Sequence, residues 1–187
     1  CFFNLFSDCE SLTRAPELPA ENLANNCYRR MFYGCTNLVI DEIPANVTEI
    51  GSSAFFGIRN IEKLDLTRNL KYGDSVFGGM RELSSLEIPE KAKLAANMFA
   101  NSPNLVYVYV NGDIREQVLY SGLFQNCTRL AYFEYTGTMT MIPDVFFYNC
   151  TNLHFKLPST LTSIGNSAFS GCSGLTSITI PAGVTSI

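Results

Sequence analysis

The chain has 187 residues, 47% of them hydrophobic and 12% aromatic, which is enough apolar mass for a core and too much for a disordered segment. Thirteen Lys and Arg against seventeen Asp and Glu leave a net charge of −4, and the cations form no run, which argues against a phosphate-tracking nucleic-acid surface. No apolar stretch approaches the ~18 residues of a membrane-spanning helix.

A repeated frame organises the whole chain. It is a phenylalanine with a Cys-like residue at +3 and a Leu-like residue at +6, starting with Phe6, Cys9 and Leu12. Phe32, Cys35 and Leu38 follow, then the degenerate sets Phe55, Ile58, Ile61; Phe77, Met80, Leu83; and Phe99, Ser102, Leu105. The clean form returns at Phe124, Cys127, Leu130; Phe147, Cys150, Leu153; and Phe169, Cys172, Leu175. Successive phenylalanines are 26, 23, 22, 22, 25, 23 and 22 residues apart. The residue before each Phe is apolar. The residue at +2 is Asp8, Gly34, Gly57, Gly79, Asn101, Asn126, Asn149 or Gly171, the types that tolerate positive φ. This predicts a short helical or 3₁₀ turn closed by a left-handed residue at +2. A further apolar column stands five residues before each Phe: Cys1, Cys27, Ile50, Tyr72, Leu94, Leu119, Ile142 and Ile164.

After each +6 residue the pattern alternates with period two, as in a half-buried strand. "IEKLDL" sends Ile61, Leu64 and Leu66 inward and Lys63 and Asp65 outward. "LSSLEIP" buries Leu83, Leu86 and Ile88 and exposes Ser85 and Glu87. "LVYVYV" buries Leu105, Val108 and Val110 and exposes Tyr107 and Tyr109, and the following frame exposes Tyr132 and Glu134. "LHFKLP" is one residue shorter, which exposes His154 and Lys156 and turns Phe155 and Leu157 inward. "LTSITIP" buries Leu175, Ile178 and Ile180 and exposes Ser177 and Thr179. The first two frames fit this register poorly. Pro44, Pro89, Pro158 and Pro181 stop the strands, since proline has no ladder donor.

One strand and one turn per 22–26 residues cannot bury an apolar face alone, whereas stacked copies can. The expectation is one β-rich solenoid over residues 1–187. It would have one parallel sheet, short helical or 3₁₀ turns and about eight repeats, roughly 40 Å long at the ~4.8 Å spacing of paired strands.

"IGNSAFSGCSGLTSITIPAGVTSI" at the end of the chain and "IGSSAFFG" at 50–57 resemble the BspA-like, or Treponema-pallidum-type, leucine-rich repeats. "APELPAENLANNCYRRMFYGCTNL" is similar to a longer variant of them, and the resemblance covers the whole chain. Ile58, Met80 and Ser102 depart from it in the cysteine column. The resemblance implies a leucine-rich-repeat horseshoe. It also implies a cell-surface or secreted binding role, often adhesive, in bacteria and some parasitic protists, with ligands that include host-derived ones.

Chemistry is sparse. Seven cysteines invite disulfides or metal. Five of them share a column with Ile58, Met80 and Ser102, and Cys1 and Cys27 share one with Ile50, Leu94 and Ile164. Such columns read as apolar slots filled by reduced thiols. Stacked repeats still bring like positions within bridging distance, while the eight-residue spacing of Cys1–Cys9 and Cys27–Cys35 is no zinc knuckle. Asn46, Asn126 and Asn149 open Asn-x-Thr triplets, and two of the three already belong to the turn column. Asp41 and Glu42 are adjacent on a strand and so point to opposite faces. With one histidine, His154, and no catalytic or phosphate-binding motif, the chain is expected to be no enzyme, without catalytic residues, metal or cofactor.

Binding fits better, because a solenoid presents its outward strand residues as one face. The candidate ligand-binding residues are Tyr107, Tyr109, Tyr132, Glu134, Lys63, Asp65, Glu87, His154 and Lys156, with the three tyrosines as an aromatic patch. The plain alternative for these tyrosines is cross-strand pairing on an exposed sheet. The partner would be a protein or a carbohydrate. A different class of reading is a structural spacer or stalk, or a module that self-associates end to end. Cys1 and Ile187 occupy the same phase of the repeat, which suggests a piece of a longer array.

Overall fold

The computed structural model describes residues 3–16, 28–45, 47–112 and 120–187. Cys1, Cys27, Asn46 and Leu119 therefore lie outside the described residues. The chain winds as a parallel β-solenoid. Its longer strands are β1 (Val39–Glu42), β3 (Asn60–Lys63), β5 (Ser85–Ile88), β6 (Tyr107–Val110) and β7 (Tyr132–Tyr135). Two-residue strands form a second side of the coil: β2 (Glu49–Ile50), β4 (Lys71–Tyr72), β8 (Met141–Ile142) and β9 (Ser163–Ile164). They coincide with the apolar column five residues before each Phe. All pairings are parallel.

The third side is the phenylalanine turn. Rings of Phe6, Phe32, Phe55, Phe77, Phe99, Phe124, Phe147 and Phe169 form one stack, with centroids 5.5–6.4 Å apart and planes within 7–28°. These spacings are those of offset aromatic pairs. The stack explains the fixed residue type: every ring is the packing surface for the next.

The turns are not helical. Among the described residues there is no helix of any kind. In the turns from Phe6 to Phe147 the N–H groups alternate between two destinations. Those of the residue two before the Phe, the Phe itself and the +2 residue donate to the following turn, as in Asn97 to Ser121 O, Phe99 to Leu123 O and Asn101 to Gln125 O. The N–H just after the Phe points back along its own turn, as in Ala100 to Asn97 O at 3.1 Å. A helix would direct all N–H groups one way, so this alternation excludes one. Flipping successive peptides needs two left-handed residues. The +2 column supplies one, with φ of 57–78° at all eight positions. A second column, two residues before each Phe, supplies the other, with φ of 48–65° at Asn4, Arg30, Ser53, Ser75, Asn97, Gly122, Val145 and Ser167.

Two further expectations are corrected. The strands do not make one sheet: β5–β6–β7 is one, β1–β3 another, and the short strands pair as β2–β4 and β8–β9. β3 covers the positions five to eight after Phe55, whereas β5 covers those eight to eleven after Phe77, so the two strands share only one position of the repeat. Ile178 and Ile180 were expected inside but are 42% and 50% exposed, because their segment joins no strand among the described residues. The second frame, unassigned from sequence, does carry a strand, β1, and the first contributes the bridge from Arg14 to Val39.

Candidate functional site

The sheet β5–β6–β7 carries most of the expected face. Inward residues Leu86, Val108 and Phe133 share one level and Ile88 and Val110 the next, all buried. Period two then forces Ser85, Tyr107 and Tyr132 into one outward row and Glu87, Tyr109 and Glu134 into a second. An isolated bridge extends the first row from Tyr132 to His154, whose rings stack at 6.1 Å and 24°. Tyr132 is 52% exposed, while Tyr107 and Tyr109 are half-buried.

The two rows are linked. Tyr107 Oη donates a 2.8 Å hydrogen bond to Glu134 Oε2 on the neighbouring strand. That bond stabilises the protonated phenol beside a carboxylate, so Tyr107 ionises above its ordinary value. It also fixes the ring across the diagonal of the ladder, leaving less side-chain entropy to lose on contact with a partner. Beside it lies a shallow 350 Å³ cavity lined by Ser85, Leu86, Glu87, Tyr107 and Tyr109.

Other candidates fall elsewhere. Lys63 is outward on β3 and faces Glu42 at 4.0 Å, a solvated pair of little energetic weight. Asp65 lies beyond the end of β3 and closes a turn, accepting hydrogen bonds from Thr67 N at 2.9 Å and Thr67 Oγ1 at 2.6 Å. Those bonds, the hydroxyl's first, hold its carboxyl below the ordinary value. Lys63 belongs to the β1–β3 sheet and Asp65 to the turn after it, outside the β5–β6–β7 sheet. Asp41 and Glu42 are both exposed at the end of β1, where the strict alternation has ended. Lys156 is exposed and lines a larger cavity where the β5–β6–β7 ladder stops.

The cysteine column packs as expected, except for Cys9. Cys35, Cys127, Cys150 and Cys172 are buried and free, and each thiol donates to a phenylalanine carbonyl one turn upstream. Burial pushes the Cys127 thiol up to about 12, and raises Cys35, Cys150 and Cys172 as well. Cys9 is free but exposed, because no described turn covers it. Among the described residues no group of three His, Cys, Asp or Glu side chains is placed to hold a metal ion, and no helix is long and apolar enough to cross a membrane.

The sequence reading missed Arg68. Its guanidinium donates to the carbonyls of Ile43, Pro44, Ala45 and Val47 at 2.7–3.1 Å, pinning the loop after β1.

A family model described as the BspA type leucine rich repeat region matches residues 3–130 and 113–187 in six copies, against the eight frames read from phenylalanine spacing. No curated protein matches the chain. Among solved structures, a leucine-rich repeat protein from Bacteroides ovatus is similar over 99% of this chain and 53% of its own, at 21% identity and a TM-score of 0.70. One from Eubacterium ventriosum is similar over 76% of this chain and 44% of its own, at 22% identity and a TM-score of 0.57. A leucine rich cell surface protein from Faecalibacterium prausnitzii is similar over 98% and 70%, at 18% identity and a TM-score of 0.52. These likenesses show the fold. The chain spans about half the length of the first of them.

Proposed function

The chain belongs to the BspA-type leucine-rich repeat family, and from that premise we propose that it is a non-catalytic recognition module, at the cell surface or secreted, that binds a protein through the β5–β6–β7 face. The observation that carries this reading is the row Tyr107–Tyr132–His154, with Tyr107 held by Glu134. Aromatic side chains with polar tips, already immobilised, are the groups that dominate protein interfaces. The neighbour from Faecalibacterium prausnitzii, described as a cell surface protein, supports the location.

The test is a binding screen of the chain against purified extracellular-matrix proteins, with Tyr107→Ser/Tyr132→Ser as the comparison. For any protein bound, the double variant should lose at least about tenfold in affinity, the scale of a modest interface hot spot. The midpoint of unfolding should barely move. Unchanged affinity would reject the aromatic face and favour the spacer reading.

A further inference from the structure

The parallel ladder ends abruptly beside β7. His154 N donates to Ala131 O at 2.8 Å, and the Tyr132–His154 bridge is the last pairing on that side. Among the described residues, no backbone bond from residues 155–157 continues it. The cause is one missing residue. "LHFKLP" reaches Pro158 five positions after its leucine, where "LSSLEIP" and "LTSITIP" reach proline after six. The chain turns off early, and its proline has no N–H to offer.

The gap left behind is a cavity of 880 Å³, with Tyr135 of β7 on one side and Ser177 to Thr179 on the other. This lies within the ~300–1,000 Å³ of small-molecule sites. Its lining is chemically selective. Tyr135 and Phe155 are half-buried aromatic rings, Lys156 is the only charged residue among the described lining, and Ser159, Thr160, Ser177 and Thr179 bring hydroxyls. Among the described residues no carboxylate lines it, although the chain as a whole is acidic. Among the described residues Lys156 makes no ion pair. Thr160 Oγ1 already donates to Met139 O at 2.7 Å, so it is left to act as an acceptor.

We propose that this cavity binds a carboxylate-bearing saccharide. The apolar face of a sugar ring would lie on an aromatic wall. Its hydroxyls would meet the serines and threonines, and its carboxylate would pair with Lys156 in a charge-assisted hydrogen bond. An apolar acid would leave the hydroxyls unpaired, at a cost in affinity, and a neutral sugar would leave the lysine unused.

The experiment is calorimetric titration of the full chain with sodium glucuronate, glucose and hexanoate. Glucuronate should bind at least about tenfold more tightly than either control, a difference one good charged contact supplies. Lys156→Met should reduce glucuronate to the level of glucose without shifting the unfolding midpoint, because Lys156 is exposed and makes no ion pair among the described residues. Absence of glucuronate binding would overturn the proposal. So would equal affinity for glucose or hexanoate, or a Lys156→Met variant that binds as before. Tyr107→Ser/Tyr132→Ser should leave glucuronate binding intact, so the fate of the aromatic face is read separately.

Discussion

The thiol of Cys127 donates a hydrogen bond to the carbonyl oxygen of Phe99, 3.3 Å away and one turn upstream. Cys150 repeats this with Phe124 at 3.2 Å, and Cys172 with Phe147 at 3.0 Å. Ser102 occupies the same column, fully buried, and its hydroxyl has no partner. The C–O bond is shorter than C–S, so the oxygen stops short of the carbonyl that a sulfur would reach. Ser102→Cys should therefore stabilise the chain by about 1 kcal/mol, the net worth of a recovered hydrogen bond, and urea unfolding would measure it. An unchanged or lowered midpoint would refute this account of the column.

Burial of ionisable groups in the core predicts an alkaline weakness. The Cys127 thiol is pushed from 9.0 up to about 12 by desolvation, and the Tyr72 phenol from 10.0 to about 12 by the same cause. Unfolded, these groups lose protons near their ordinary values, while the folded chain holds them to about 12. Their contribution is thus complete below pH 9.0 and is lost progressively as pH rises from there to about 12. Unfolding midpoints should be level across neutral pH and fall above 9.0. Tyr72→Phe should soften the fall that begins near 10.0. It should cost nothing at neutral pH, because the Tyr72 hydroxyl is buried without a partner. A midpoint independent of pH up to about 11 would contradict this, given the ~1.4 kcal/mol that each unit of pKa difference represents.

How much of this was readable in the sequence depended on whether one residue type solves the local problem. Stacked rings need phenylalanine in every turn, and a left-handed residue at the turn's close favours Gly, Asn or Asp, so both columns stand out. The outward pairs from Ser85 to Lys156 followed from period two; Ser85, Glu87, Tyr132, Glu134, His154 and Lys156 are exposed, whereas Tyr107 and Tyr109 are half-buried. The second left-handed column was invisible, because it holds Arg30, Val145 and several serines, residues forced there by bonds between turns rather than chosen for the angle. Arg68 was equally hidden. Its four acceptors are carbonyls, which every residue owns, so no pattern announces them. The break after β3 and the exposure of Ile178 and Ile180 depend on which stretches of neighbouring turns pair, which a repeat-by-repeat reading does not contain.

Arg68 carries a prediction of its own. A planar guanidinium spreads its donors over four carbonyls of the loop at residues 43–47. Arg68→Ala releases all four, and water replaces the bonds at the exposed ones only. The loss should be about 2 kcal/mol, in the range of hydrogen bonds to a charged group. Arg68→Lys should recover less than half of it, since a single ammonium cannot span the same set. Denaturant unfolding of the two variants checks both figures. Equal stability of Lys and Arg at this position would show that charge matters rather than the fork.

Val145 shows where the turn ladder works against its own sequence. Its φ is 48°, a left-handed angle that a β-branched side chain adopts only under constraint. The constraint is visible: Val145 N donates to Asn166 O at 2.9 Å, and Tyr148 N returns to Val145 O at 3.1 Å. Keeping both bonds holds the residue in the unfavourable region, at a strain of roughly 1–3 kcal/mol. Asn4 and Asn97 occupy the same position in other turns at 54° and 55°, and asparagine tolerates that region. Val145→Asn should therefore raise stability by about 1 kcal/mol, even though it exchanges a half-buried apolar side chain for a polar one. The competing term is the apolar area lost, at roughly 25 cal/mol per Å², and a half-exposed valine has little of it to lose. Val145→Ala, which loses apolar area while relieving only the branching, should gain less than Asn. If both variants destabilise equally, packing outweighs strain in this turn, and the ladder holds Val145 at no measurable cost.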